Sequence, residues 1–195
     1  MEIFTGSAFI ADDIAKSGNP AGLYVLDTEQ PLSVKQMQEI AKFAGYAETS
    51  FVRKINKNTF DIQWYSRNGT KIFLCGHATM VAAHNLFKNG QVAGEQINFL
   101  YDDGREQMRV YRKDNDEYAM KFTDKALEKV KDNDATNADR EILAKLFAGK
   151  ANIKDMRVNW QEKKYYLFLH DAKAIKKFNA DSENLAIIAE LTKSG

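Results

Sequence analysis

The residues of this chain that could do chemistry fall early and close together. Glu48 stands directly before a β-branched stretch, Thr49 to Ile55. A carboxylate held in a cleft can act as general acid and base if desolvation raises its pKa toward neutrality. The plain alternative is a solvated glutamate at the start of a strand. Cys75-Gly76-His77-Ala78 opens a long run of small and apolar residues that reads as a helix. The first N–H groups of a helix lack internal partners, so Gly76, His77 and Ala78 form a natural site for a substrate carboxylate. His77 could hydrogen-bond that substrate, or simply cap the helix. Cys75 is the only cysteine. A helix start would lower its pKa and favour thiolate, whereas a buried structural thiol would be inert. His77 and His84 lie seven apart with no acidic neighbour on their face, so no metal site is expected from them. Asn19, in Gly18-Asn19-Pro20, shapes either a loop beside a cleft or an ordinary Asn-Pro turn.

The elements that position these residues can be read from pattern. Met1 to Phe9 and Ala21 to Leu26 are strand-like. Ser33 caps a helix through Met37, Ile40, Ala41 and Ala44, which Gly45 closes. Thr49 to Ile55 and Phe60 to Tyr65 are strands. Gly76 to Phe87 is small or apolar all round, so as a helix it should be buried on every side. Glu95 to Tyr101 and Gln107 to Tyr111 form a hairpin about Asp102-Asp103-Gly104, and Tyr118 to Phe122 is a further strand. Beyond it, Asp124 to Asp134 reads as a charged loop with some helix. Helices are expected at 137–147, 172–178 and 184–191, and strands at 153–160 and 165–170. The expected organisation is a complete first half over 1–115 and a partial second half over 116–195.

Composition excludes several classes. The chain has 195 residues, a net charge of +1 and 44% hydrophobic content. A nucleic-acid binder would carry a clear basic excess. No run approaches the ~18–20 apolar residues of a membrane span. A single cysteine excludes an intrachain disulfide, and the N-terminus has no signal-peptide pattern, so a cytoplasmic location is expected.

Three segments in register carry a resemblance: Gly18-Asn19-Pro20-Ala21-Gly22; Ala47-Glu48-Thr49-Ser50-Phe51-Val52; and Cys75-Gly76-His77-Ala78-Thr79 with Ala82-Ala83-His84. Together they resemble the PhzF family of phenazine-biosynthesis-like proteins, over the whole chain but more vaguely after about residue 125. The resemblance implies an α+β fold like that of diaminopimelate epimerase, a curved mixed sheet around a central helix, in two pseudo-symmetric halves of which the second is incomplete here. It implies a cofactor-independent isomerase. Glu48 would shuttle a proton on a small anionic substrate, Asn19, Gly76, His77 and Ala78 would bind that substrate, and no metal or organic cofactor would be needed. Cys75 falls where related epimerases carry one catalytic thiol, but a second thiol is lacking. The family's Thr-Pro and Glu before the Gly-His motif are replaced by Ser66-Arg67-Asn68-Gly69-Thr70-Lys71, and its late acidic-Pro-Thr-Gly-Ser-Ala segment is absent from these residues. The alternative expectation is therefore a truncated, inactive member serving as a binding or dimerisation module, or one whose missing part is supplied elsewhere. Uncovered strand edges, such as Tyr165 to Leu169, lead to the expectation of a homodimer.

Overall fold

The computed structural model describes residues 2–10, 18–114 and 117–122, and the strands at 128–129, 153–159 and 164–169. The chain divides into two compact units, Met1–Thr123 and Asp124–Gly195. The first unit extends past residue 115 because Tyr118–Phe122 hydrogen-bonds to the strand before it.

Strands of the first unit are β1 (Phe4–Ala8), β2 (Asn19–Val25), β3 (Glu48–Lys54), β4 (Thr59–Ser66), β5 (Lys71–Ile72), β6 (Gln96–Tyr101), β7 (Glu106–Arg112) and β8 (Tyr118–Phe122), with helices α1 (Val34–Ala44) and α2 (Gly76–Lys88). They form one mixed sheet in the order β1-β2-β3-β4-β6-β7-β8, with β5 on β4. The pairs β2–β3 and β4–β6 are parallel and the others antiparallel. Each parallel pair is joined through a helix, α1 for the first and α2 for the second. Because β3 and β4 are antiparallel, the two crossovers start from strands of opposite direction. Right-handed crossovers then require α1 and α2 to lie on opposite faces of the sheet.

Side-chain alternation obeys that requirement. On β3 and β4, Val52, Phe60, Ile62 and Trp64 join the core around α2. Phe51 and Tyr65 point the other way, to a smaller core with Met37 and Ala41 of α1. Helix α1 begins as its sequence predicts. Ser33 Oγ accepts from the Gln36 N–H, Gln36 Oε1 accepts from the Ser33 N–H, and Gly45 ends the helix at φ 72°.

Helix α2 touches β1, β2 and β3 and also β7 and β8. Seven strands ~4.8 Å apart would span roughly 29 Å if flat, while a helix is only ~10 Å across. The sheet therefore curls around α2. Small side chains permit the close wrap: Ala78, Ala82 and Ala83 are fully buried, and a Cβ on Gly6 of β1 would sit 3.2 Å from Val81 Cγ1. The expectation of cover on every side is corrected in one respect. Met80 is half-buried and His84 and Lys88 are exposed. This stripe faces the gap between the two outer strands, where β1 and β8 flank a cleft of about 620 Å³.

In the second unit, β10 (Ile153–Asn159) pairs antiparallel with β11 (Lys164–Leu169) and with β9 (Glu128–Lys129). The two long strands match the sequence expectation. Strand β9 falls where a loop with some helix was expected, and its two residues gain backbone partners at Arg157 and Val158. The helices expected at 137–147, 172–178 and 184–191 lie outside the described residues.

Candidate functional site

Glu48 is the first residue of β3 and shares its inner face with Ser50 and Val52. Ser50 is buried, and its Oγ donates to the Ala78 carbonyl at 2.8 Å. That bond ties β3 to the first turn of α2, which brings Glu48, one pleat earlier on the same face, beside the helix start. Cys75 caps α2 in an extended conformation, φ −136° and ψ 103°. Its carbonyl accepts from the Thr79 N–H at 3.2 Å and from Thr79 Oγ at 2.7 Å. The N–H groups of Gly76 and His77 have no acceptor within the helix, since only from Thr79 onward can a carbonyl of the same helix be reached.

His77 folds back over this turn. Its Nε2 lies 3.1 Å from Glu48 Oε2, and the two side chains are 11% and 24% exposed. Its Nδ1 lies 3.4 Å from Cys75 Sγ. Burial holds His77 below the usual histidine pKa, and the Glu48 carboxylate opposes that shift without reversing it. The imidazole is therefore neutral at neutral pH, and its partners fix the tautomer. Nε2–H donates to Glu48, and the Cys75 sulfur lies beside the ring, 3.4 Å from Nδ1 and 4.0 Å from Nε2.

Of the two readings open to Cys75, the structure has the buried thiol. Burial pushes Cys75 up to about 11, and the nearby Glu48 carboxylate adds to the rise. The Ala78 N–H acts in the lowering direction but is not aligned as a full capping hydrogen bond. Desolvation outweighs the helix start, so Cys75 is a protonated thiol rather than a thiolate. With a two-unit rise from the ordinary value of 9.0 to about 11, alkylation by iodoacetamide at pH 8 should run about 100-fold slower in the folded protein than in urea-unfolded chain. Equal rates in the two states would show that the thiol is not held in this way.

The other expected residues fall elsewhere. Asn19 is exposed at the start of β2, where it pairs with Ala8 of β1. His84 is on the open stripe of α2, with Nδ1 3.2 Å from the Tyr118 hydroxyl. The Ser66–Lys71 turn spends its polar groups on itself and α1: Ser66 Oγ accepts from the Asn68 and Thr70 N–H groups, and Gln38 Nε2 donates to the Gly69 carbonyl. Sequence reasoning looked for an acidic partner of His77 along its own helix. The partner comes instead from β3, which only the pairing of β3 with α2 through Ser50 reveals.

This arrangement of sheet, helix and motif has relatives. The family model described as phenazine biosynthesis-like protein, PhzC-PhzF, matches residues 4–194. The chain belongs to the PhzC-PhzF family. An uncharacterised isomerase of Pseudomonas aeruginosa is 39% identical over 98 residues, which are 50% of this chain and 35% of that protein. The crystal structure of a PhzF-family protein from Enterococcus faecalis matches with a TM-score of 0.68 at 25% identity, over 94% of this chain and 62% of that one. A protein described as a predicted epimerase from Pseudomonas aeruginosa shares the fold at 14% identity and a TM-score of 0.56, over 92% of this chain and 64% of that one. The chain thus spans less than two thirds of the length of these relatives. The curled mixed sheet around a helix is the architecture of the PhzF-like and diaminopimelate-epimerase-like proteins.

Proposed function

We propose that the chain carries the proton-transferring carboxylate and the anion-binding helix start of a PhzF-like, cofactor-independent isomerase. The observation that carries this reading is the 3.1 Å contact between Glu48 Oε2 and His77 Nε2 at the first turn of α2. Glu48 removes a proton from a carbon next to the substrate's unsaturation. The electron pair left behind shifts through the conjugated system, and the Glu48 carboxylic acid returns the proton to a different carbon. Nothing is oxidised or reduced, so the reaction needs no redox partner. The neutral His77 donates to Glu48 and holds it toward the substrate, while the Gly76 and His77 N–H groups receive the substrate's carboxylate. Relatives named as isomerases support this class of reaction.

Anion binding at this turn is testable without turnover. Titration of small unsaturated carboxylates, followed by backbone amide NMR, should shift Gly76 and His77 first. In Gly76→Pro, which removes one of these N–H groups at a helix position that accepts proline, the dissociation constant should rise on the order of 10–100-fold, the loss expected for a hydrogen bond to a charged group. Unchanged affinity, or shifts confined to residues away from the turn, would refute the assignment.

A further inference from the structure

The same turn gathers one sulfur, one imidazole and one carboxylate. The ligand atoms of Glu48, Cys75 and His77 all lie within 4.8 Å of one another. We propose that these three residues form a binding site for one divalent ion of the zinc class. The binding does not depend on Glu48 acting in catalysis.

Geometry supports the site. Bonds of ~2.0 Å to nitrogen and oxygen and ~2.3 Å to sulfur, arranged tetrahedrally, place ligand atoms about 3.3–3.6 Å apart. Glu48 Oε2 and His77 Nε2 are already 3.1 Å apart, and Cys75 Sγ is 4.0 Å from the same nitrogen. The sulfur lies nearer Nδ1, at 3.4 Å, so closing the set asks the His77 ring to turn until Nε2 faces Cys75 and Glu48 together. The Ser50 bond to the Ala78 carbonyl holds the two ligand-bearing elements in register without using a ligand atom.

Chemistry selects the ion. Calcium and magnesium take all-oxygen sets, whereas thiolate with imidazole suits zinc and its neighbours. On binding, the Cys75 S–H proton goes to solvent and the sulfur coordinates as thiolate. Three protein ligands leave the fourth position to water. With one carboxylate oxygen on the metal Glu48 is a weaker base at the other, and the ion stands where Glu48 and His77 would meet a ligand.

Cobalt(II), a spectroscopic substitute for zinc, gives the test. The tag-free full chain is titrated with cobalt chloride and followed through sulfur-to-cobalt charge transfer, which only Cys75 can produce because it is the sole cysteine. The expected result is a band that saturates at one cobalt per chain and is abolished by zinc. Cys75→Ser should lose the band, His77→Ala should weaken binding at least tenfold, and His84→Ala should leave it unchanged. A band absent at millimolar cobalt, or one with the same midpoint in His77→Ala, overturns the proposal. Neither outcome bears on whether the metal-free protein transfers protons.

Discussion

Glu48→Gln should lower turnover by about 10²–10⁴-fold, the range that a positioned acid–base group contributes, while leaving substrate affinity within a few-fold of wild type. Glutamine keeps the size of glutamate and still offers Oε1 to the His77 Nε2–H, which now lies 3.1 Å from the carboxylate. Neither the fold nor the anion site at Gly76 and His77 is asked to change. What is lost is the ability to hold a substrate proton, because an amide is not basic at neutral pH. The split between turnover and affinity separates this outcome from simple misfolding. It is read by comparing kcat with the dissociation constant measured calorimetrically. Turnover that survives in Glu48→Gln would mean that another group carries the proton.

The second large effect is on stability. Leu86→Ala should destabilise the first unit by about 2–5 kcal/mol, a large part of the ~5–15 kcal/mol that holds a typical domain folded. Leu86 is fully buried on α2, and the sheet curls around that helix from both sides. Walls held in register by strand pairing cannot close on the cavity, so the cost should fall high in the range. His84→Ala, on the open stripe of the same helix, should change stability by no more than ~0.5 kcal/mol. Urea unfolding reads both. Trp64, 1% exposed in the α2 core, serves as the fluorescent reporter in a Trp160→Phe background. Similar midpoints for Leu86→Ala and His84→Ala would contradict the enclosed helix.

Much of this architecture is legible in the sequence, for identifiable reasons. The capping of α1 rests on local chemistry, Ser33 with Gln36 at one end and Gly45 at the other, so it can be seen without the fold. The alternation along β3 and β4 is equally local. The enclosure of α2 is legible from its alanines, but the open stripe is not. His84 and Lys88 are polar residues one turn apart, but the gap they face, between β1 and β8, exists only once seven strands have curled. The site shows the same division. Glu48 and His77 stand out as residue types, yet their contact depends on Ser50, whose hydroxyl carries no signal in sequence beyond a serine in a strand. The raised pKa of Cys75 is also a tertiary property. From the chain alone both a helix-start thiolate and a buried thiol are open, and burial in the assembled core decides for the second.

Isomerisation by Glu48 is tested most directly in deuterium oxide. Unsaturated small carboxylates are incubated with the chain, and recovered substrate and product are examined by mass spectrometry and NMR for deuterium at carbon. A proton held on Glu48 between removal and return can exchange with solvent. The account predicts deuterium at the carbon that gains the proton, with incorporation by wild type and by His84→Ala and none by Glu48→Gln. Isomerised product formed by wild type with incorporation unaffected by Glu48→Gln would contradict it.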